Sequence, residues 1–424
     1  MANSYLNHST SSSTGKIFTL SWWMKKSLDT SNGTIFNMTS DSNTHNYIEI
    51  ATKNTTGLDV QLKNGSSGTF LRRRLNRMFK DFSAWYHCVI RFDSTQSTAS
   101  DRFRIYVNGE LATDIDTDST PDAPLNYVTE FNNSSSLDIG RNAGNGSNFF
   151  DGSMSHMVLT DGYSYGPTSF GLADSTTGQW KFKPPSGISY GTNGFHLKFE
   201  NSGALGTDSS GQSNTFSVNG NLKQGVDTPT NGYCTLNPLA VGSSPPTFSK
   251  GANRVVGTAT SYQFSCGTLE VPLNGKWYWE VKANNNINGS TSEYLIGAVL
   301  ESRLQASNNF AEFAADGITQ YGSVSPNIGQ NDIISVAVDR TAATLKIYKN
   351  NSLIVTKSSL PAEIIFPMVT VFGSGTGADA NFGNGYFGGS AISSAGSNGN
   401  GSLFEYDVPS GHYALNTSNI NTYG

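Results

Sequence analysis

The chain has 424 residues, a formal net charge of −5 and only 14% charged residues, so it has no general attraction to nucleic acid or an anionic membrane, and neither is expected as a partner. Glycine alone numbers 45, and stretches rich in Ala, Glu, Lys and Leu are nearly absent, which excludes a mainly helical protein in favour of short strands joined by small polar turns. The length exceeds the roughly 250–300 residues at which one core stops growing, so two domains are expected.

In chain order, residues 17–25, 47–51 and 58–62 alternate apolar with polar, as half-buried strands do. Next comes a dense basic run, Arg72, Arg73 and Arg74 with Arg77 and Lys80. Leu71, Leu75, Met78 and Phe79 interleave with it at spacings that allow a short helix with one apolar side. Three readings stay open for the arginines: a solvated loop, a docking patch for an acidic neighbouring subunit, or a site for sulfated or phosphorylated glycan, whose geometry suits guanidinium forks.

Residues 85–93 read as a strand in which Cys88 is a small buried hydrophobe and His87 a structural residue. A hairpin follows over 102–111, turning at Asn108-Gly109, where both positions tolerate positive φ. Asp114, Asp116 and Asp118, with Asp122 beyond, place carboxylates at alternate positions. A solvated acidic loop is the favoured reading and a Ca²⁺ site the alternative, and no other cofactor is expected. Strands at 136–140 and 155–159 lead into turn-rich stretches carrying Tyr163, Tyr165, Trp180 and Tyr190, which suit either sugar platforms or packing on a core. A strand at 194–199 precedes Asp208-Ser209-Ser210-Gly211, a type I turn sequence in which Asp208 and Asn214 also offer oxygen ligands.

Turn formers and prolines over 221–250 mark a junction. Beyond it, 275–281 sets Trp277, Trp279 and Val281 on one face, and 294–299, 332–339, 344–348 and 366–372 read as further strands. Residues 346–353 repeat the strand, tight turn, strand grammar of 104–111, as successive all-β domains would. Residues 383–402, rich in Gly, Ser and Asn, are expected to form a long surface loop. The expected layout is therefore two antiparallel β-sandwiches, over 1–220 and 251–424.

Three cysteines without CxxC spacing indicate neither a disulfide framework nor a zinc site. The sequence has no apolar run of about 18 residues, so membrane insertion is not expected, nor is export by a cleaved signal. Glycoside hydrolysis needs two carboxylates about 5–10 Å apart. Glu-x-Asp-x-x-Glu is absent, Glu405-Tyr406-Asp407 is the nearest run, and the chain is not expected to be an enzyme.

The segments 18–25, 83–87, 106–109 and 150–152 resemble the laminin-G/concanavalin-like lectin family over roughly residues 1–220, and 275–280, 296–297, 332–339 and 381–383 resemble SPRY domains. Together with 190–195, 208–211, 227–231 and 234–239, this order of motifs is similar to virion structural proteins of marine tailed bacteriophages. The resemblance implies a virion location after assembly in the host cytoplasm, other virion proteins as partners, a homo-oligomer with a trimer favoured, and a tail-fibre or appendage role contacting host surface polysaccharide. A decoration or cement role without a receptor, and a glycan-degrading enzyme, remain the alternatives.

Overall fold

A computed structural model of the chain describes residues 4–27, 32–53, 57–65, 70–242, 244–284, 294–306, 320–321 and 328–424. It divides into two compact units, Met1–Lys80 with Trp85–Gln224, and Asp81–Ala84 with Gly225–Gly424. Each unit is an antiparallel β-sandwich. Among the described residues no helix is long and apolar enough to cross a membrane.

The strands of the first unit are β1 (Tyr5–Ser9), β2 (Ile17–Lys26), β3 (Gly33–Thr39), β4 (Tyr47–Thr52), β5 (Leu58–Lys63), β6 (Leu71–Arg74), β7 (Tyr86–Asp93), β8 (Phe103–Val107), β9 (Glu110–Leu111), β10 (Ser136–Ile139), β11 (Gly152–Asp161), β12 (Gly171–Ala173), β13 (Trp180–Phe182), β14 (Phe195–Leu197) and β15 (Ser217–Asn219). A seven-stranded sheet runs β15-β1-β10-β3-β4-β5-β6, and a six-stranded sheet β14-β11-β2-β7-β8-β9. Period-two alternation sends Phe18, Leu20, Trp22 and Met24 of β2, with Cys88, Ile90 and Phe92 of β7, into one core between the sheets. The hairpin turns where expected, with φ of 49° at Asn108 and 84° at Gly109, the positive pair a type I′ turn demands.

Two expectations for this unit need correction. β2 is not half-buried: every residue after Ile17 is buried, because a second apolar layer lies on the sheet's outer face. Val89, Val158 and Phe170 form that layer with Tyr106, Tyr165, Ile188 and Tyr190. The basic run is an edge strand rather than a helix, because Asp59 to Leu62 of β5 pair with Arg74 to Leu71 while Leu71, Leu75 and Phe79 enter the core.

The second unit contains β16 (Thr247–Ser249), β17 (Arg254–Val256), β18 (Tyr262–Cys266), β19 (Lys276–Ala283), β20 (Tyr294–Leu300), α1 (Glu301–Ala306), β21 (Gln320–Tyr321), β22 (Ile333–Asp339), β23 (Thr344–Lys349), β24 (Ser352–Lys357), β25 (Ile365–Phe372), β26 (Gly377–Asn381), β27 (Tyr386–Phe387), β28 (Ser390–Ala391), β29 (Tyr413–Ala414) and α2 (Thr417–Tyr423). An eight-stranded sheet, β16-β17-β26-β19-β22-β23-β24 with β29 alongside β19, faces the four-stranded β18-β25-β20-β21. Trp277, Trp279 and Val281 point into the core between them. Asn350 and Asn351, at φ 45° and 67°, make the second tight turn.

The stretch expected as a junction over 221–250 is largely part of this unit, since Cys234 and Leu236 are fully buried in its core. Nor is 383–402 simply a surface loop. It contains the β27–β28 hairpin and buries Phe387, held from below by Asn381, whose side-chain oxygen accepts from the backbone N–H of Gly383 and Gly385.

Candidate functional site

The arginine run and the aspartate run, read separately in the sequence, are brought together by the fold. Arg72 holds Asp59 with two parallel bonds, Nε to Oδ1 at 2.9 Å and Nη2 to Oδ2 at 2.6 Å, and Arg74 reaches the same carboxylate at 3.2 Å. Arg74 also bonds Asp118 at 2.9 Å, Arg73 pairs with Asp122, and Arg77 bonds Asp114 at 2.6 Å. Burial would push the Asp114 carboxyl up, but the side chain and backbone N–H of Arg77 outweigh it and hold Asp114 below the usual carboxylate range. Asp116 accepts the backbone N–H of Asp118 at 2.8 Å.

Arg72, Arg73 and Arg74 are thus committed within the molecule, and Asp59 is fully buried beneath them. Asp114, Asp116 and Asp118 do not converge on an ion site. Among the described residues, no group of three or more His, Cys, Asp and Glu side chains is placed to hold a metal. Asp208 likewise spends its oxygens on hydrogen-bond donors, accepting the backbone N–H of His196, Ser210 and Asn214 at 2.8–2.9 Å and the Ser210 hydroxyl at 2.8 Å.

Trp180 is separated from the tyrosines. Its Nε1 donates to His87 Nδ1 at 2.8 Å, and its ring lies parallel to His87, which in turn stacks on Trp23. Because an indole N–H only donates, His87 Nδ1 must accept; the ring proton then sits on Nε2, 2.9 Å from the Ser21 hydroxyl. Desolvation pulls His87 down to about 3, so it is neutral, and Trp180 is a packing residue on the sheet's outer face. Phe182 acts similarly, stacking 3.8 Å from His156.

Tyr163, Tyr165 and Tyr190 do come together. The Thr19 hydroxyl donates to Tyr163 O at 3.1 Å and accepts from Tyr165 N at 2.9 Å, so β2 fixes the start of this segment. The Tyr163 and Tyr165 rings stack at 6.4 Å, and the Tyr165 hydroxyl accepts Ser189 N at 2.8 Å. Gly191 turns the chain at φ 76°, where an added Cβ would stand 1.9 Å from Asp161 O. Burial, then the nearby Asp208 charge, pushes the Tyr190 phenol up.

These contacts shape an open depression of about 540 Å³, lined by Tyr163, Ile188, Tyr190, Ser210, Gln212 and the 189–192 backbone turn. Asn214 ties its two walls together, its side-chain amide donating to Thr192 O at 2.9 Å and Gly194 O at 2.8 Å. Tyr163 keeps 43% of its surface exposed and Gln212 is exposed, so an aromatic face and an amide are available to a ligand. Sequence reasoning missed Ser210 and Gln212 as wall residues. The turn formers around Asp208 mark the bend but not what it faces.

In the second unit the buried carboxylates among the described residues are Asp379, held by Arg254 at 2.6–2.7 Å, and Glu280, rather than any of the acids at 405–407. Glu280 is the one beneath those acids. It accepts from Tyr278 Oη and Tyr406 N at 3.0 Å and from Glu405 N at 2.8 Å, and burial raises it to about 7. With no exposed surface, it clamps the 404–408 strap onto the sheet rather than meeting a substrate.

Residues 1–163 match the family described as the Concanavalin A-like lectin/glucanases superfamily (Laminin_G_3), so the depression lies almost entirely beyond the matched stretch. No curated protein matches the chain. Similar solved structures include the SPRY domain of human HERC1, at 13% identity over 34% of this chain and 96% of that one, TM-score 0.27. Another is a native heptameric SAP-like pentraxin from Limulus polyphemus, at 15% over 37% and 69%, TM-score 0.25. A third is the CBM40 of a Ruminococcus gnavus IT-sialidase bound to α2,3-sialyllactose, at 13% over 33% and 74%, TM-score 0.25. Over residues 1–163, then, the first unit is similar to the concanavalin A-like lectin/glucanases superfamily.

Proposed function

We propose that this is a non-enzymatic structural protein of a virion, a tail-fibre or appendage subunit, that binds host surface polysaccharide through the tyrosine-faced depression of its first unit. The observation that carries the reading is the convergence of Tyr163 and Tyr190 with the Gln212 amide and the exposed Ser189 and Thr192 hydroxyls around one open, solvent-facing hollow. Aromatic faces pack on the C–H surfaces of sugar rings, while amides and hydroxyls reach the ring substituents. The lectin/glucanase superfamily match supports carbohydrate as the ligand class. The absence of any carboxylate among the lining residues supports binding without hydrolysis, which requires two. The order of motifs from 190 to 239 supports the virion location.

A single shallow site binds weakly, and display of several copies converts that into useful avidity, which is why a homo-oligomer, a trimer first, mounted on other virion proteins is part of the proposal. Binding of labelled protein to host cells before and after stripping of surface polysaccharide tests the receptor role. Binding should fall with stripping, and equal binding would point to decoration without a receptor. Incubated polysaccharide should keep its chain length; shortening would refute the non-enzymatic reading.

A further inference from the structure

Resting on that reading, we propose that the ligand is an uncharged glycan, held without a metal ion, and that Tyr163 and Gln212 set this preference. The lining residues, Tyr163, Ile188, Ser189, Tyr190, Gly191, Thr192, Ser210 and Gln212, include no cationic or anionic side chain. A sulfate, phosphate or uronate entering the hollow would lose water and gain no counter-charge, a costly exchange at a partly desolvated site. A fixed charge of the wrong sign for an anion stands close by: Asp208 acts on the Tyr190 phenol.

The arginine run that could have served an anionic ligand is spent elsewhere, and Arg91, beside the tyrosine segment, donates to the Ser164 hydroxyl at 2.7 Å. Arg72, Arg73, Arg74 and Arg77 are paired with Asp59, Asp122, Asp118 and Asp114 at 2.5–2.9 Å, so recruiting them would break intramolecular bonds. Metal-bridged sugar binding has no basis in the hollow either. Asp208, beside it, already accepts three backbone N–H bonds and the Ser210 hydroxyl, and Asp161 accepts from Ser13 and Asn193. What the hollow does offer is an exposed aromatic face at Tyr163, a two-way donor and acceptor at Gln212, and the hydroxyls of Ser189 and Thr192, which suit ring C–H faces and hydroxyl groups.

The test is affinity electrophoresis of the full chain through gels holding dextran, mannan or laminarin as uncharged probes, against alginate as the carboxylated and dextran sulfate as the sulfated probe. At least one uncharged polymer should retard the protein, and retardation should survive a chelator and roughly 0.5 M NaCl, where exposed charge pairs are screened. Tyr163→Ala should weaken it by about tenfold, the loss of one aromatic contact, with Gln212→Ala acting in the same direction. Both side chains are exposed, so the variants should keep the wild-type melting temperature. Retardation by alginate or dextran sulfate alone, collapsing with salt, would overturn the uncharged-glycan assignment and leave carbohydrate binding standing. Retardation abolished by chelator, or untouched in both variants, would overturn the metal-free site at Tyr163 and Gln212. Retardation by none of the polymers would overturn the carbohydrate reading as well.

Discussion

Lowering the pH from 7.5 to 5 should destabilise the first unit through its buried histidines. His87 has no exposed surface, is neutral by the geometry of its two bonds, and titrates at about 3 against 6.5 for a free side chain. Desolvation likewise lowers His156 and His196 to about 4, with Lys198, Glu200 and Asp208 as the charged groups nearby. A folded pKa below the unfolded value means that the unfolded chain takes up protons first, so stability is intact above pH 6.5 and drains away as pH falls, towards 4 for His156 and His196 and towards 3 for His87. Each group costs up to about 1.4 kcal/mol per pH unit below 6.5, hence about 2 kcal/mol for His87 at pH 5. His196 adds a similar amount and the partly exposed His156 about half, bringing the loss to roughly 5 kcal/mol. For a unit of this size that corresponds to a melting temperature lower by roughly 10 °C or more.

Scanning calorimetry across that pH range, with His87→Gln as the control that keeps an acceptor for Trp180, measures the slope directly. A melting temperature of the first unit that stays flat between pH 7.5 and 5, or a His87 ring titrating above pH 6 by NMR, would refute the argument.

Glu280 works with the opposite sign. Its folded pKa lies above the free value of 4.5, so its contribution is largest below 4.5 and is lost as pH rises through about 7. Glu280→Ala should cost about 2–4 kcal/mol by stranding the Glu405 and Tyr406 amides, and should expose the 404–408 strap to limited proteolysis. Asp59→Ala should cost about 3–5 kcal/mol in chemical denaturation because it leaves two guanidiniums over a buried void, whereas Asp118→Ala, removing an exposed partner, should cost less than about 1 kcal/mol. Gly191→Ala should cost at least about 1–3 kcal/mol and deform the hollow, since neither its φ of 76° nor the space before Asp161 O admits a methyl group. A wild-type melting curve for that variant would contradict the close approach.

The strands were legible because their information is local. β2, β7, β19 and β22 announce themselves by alternation, and Asn108-Gly109 and Asn350-Asn351 by the positive φ that a two-residue turn demands. What escaped is what depends on pairing at a distance. Whether Arg72 meets solvent or Asp59 is decided by the β5–β6 register, and whether Arg74 meets Asp118 by where the 114–122 loop returns. Neither leaves a periodic trace. The covering layer was hidden for the same reason: Tyr165, Phe170, Ile188 and Tyr190 are scattered among glycines and prolines, and only the fold gathers them onto Val89 and Val158. Of the four aromatics singled out for a ligand, three share a neighbourhood and Trp180 instead roofs His87, a distinction set by one indole hydrogen bond.

Roofing both sides of the six-stranded sheet has a practical consequence for anyone redesigning this molecule. With that surface sealed, the glycan recognition proposed above falls to the rim, where 188–192 and 210–212 are joined through Asn214 rather than through the interior. If that proposal holds, randomising Ser189, Thr192 and Gln212, all exposed, samples new specificities while the packed framework beneath stays untouched.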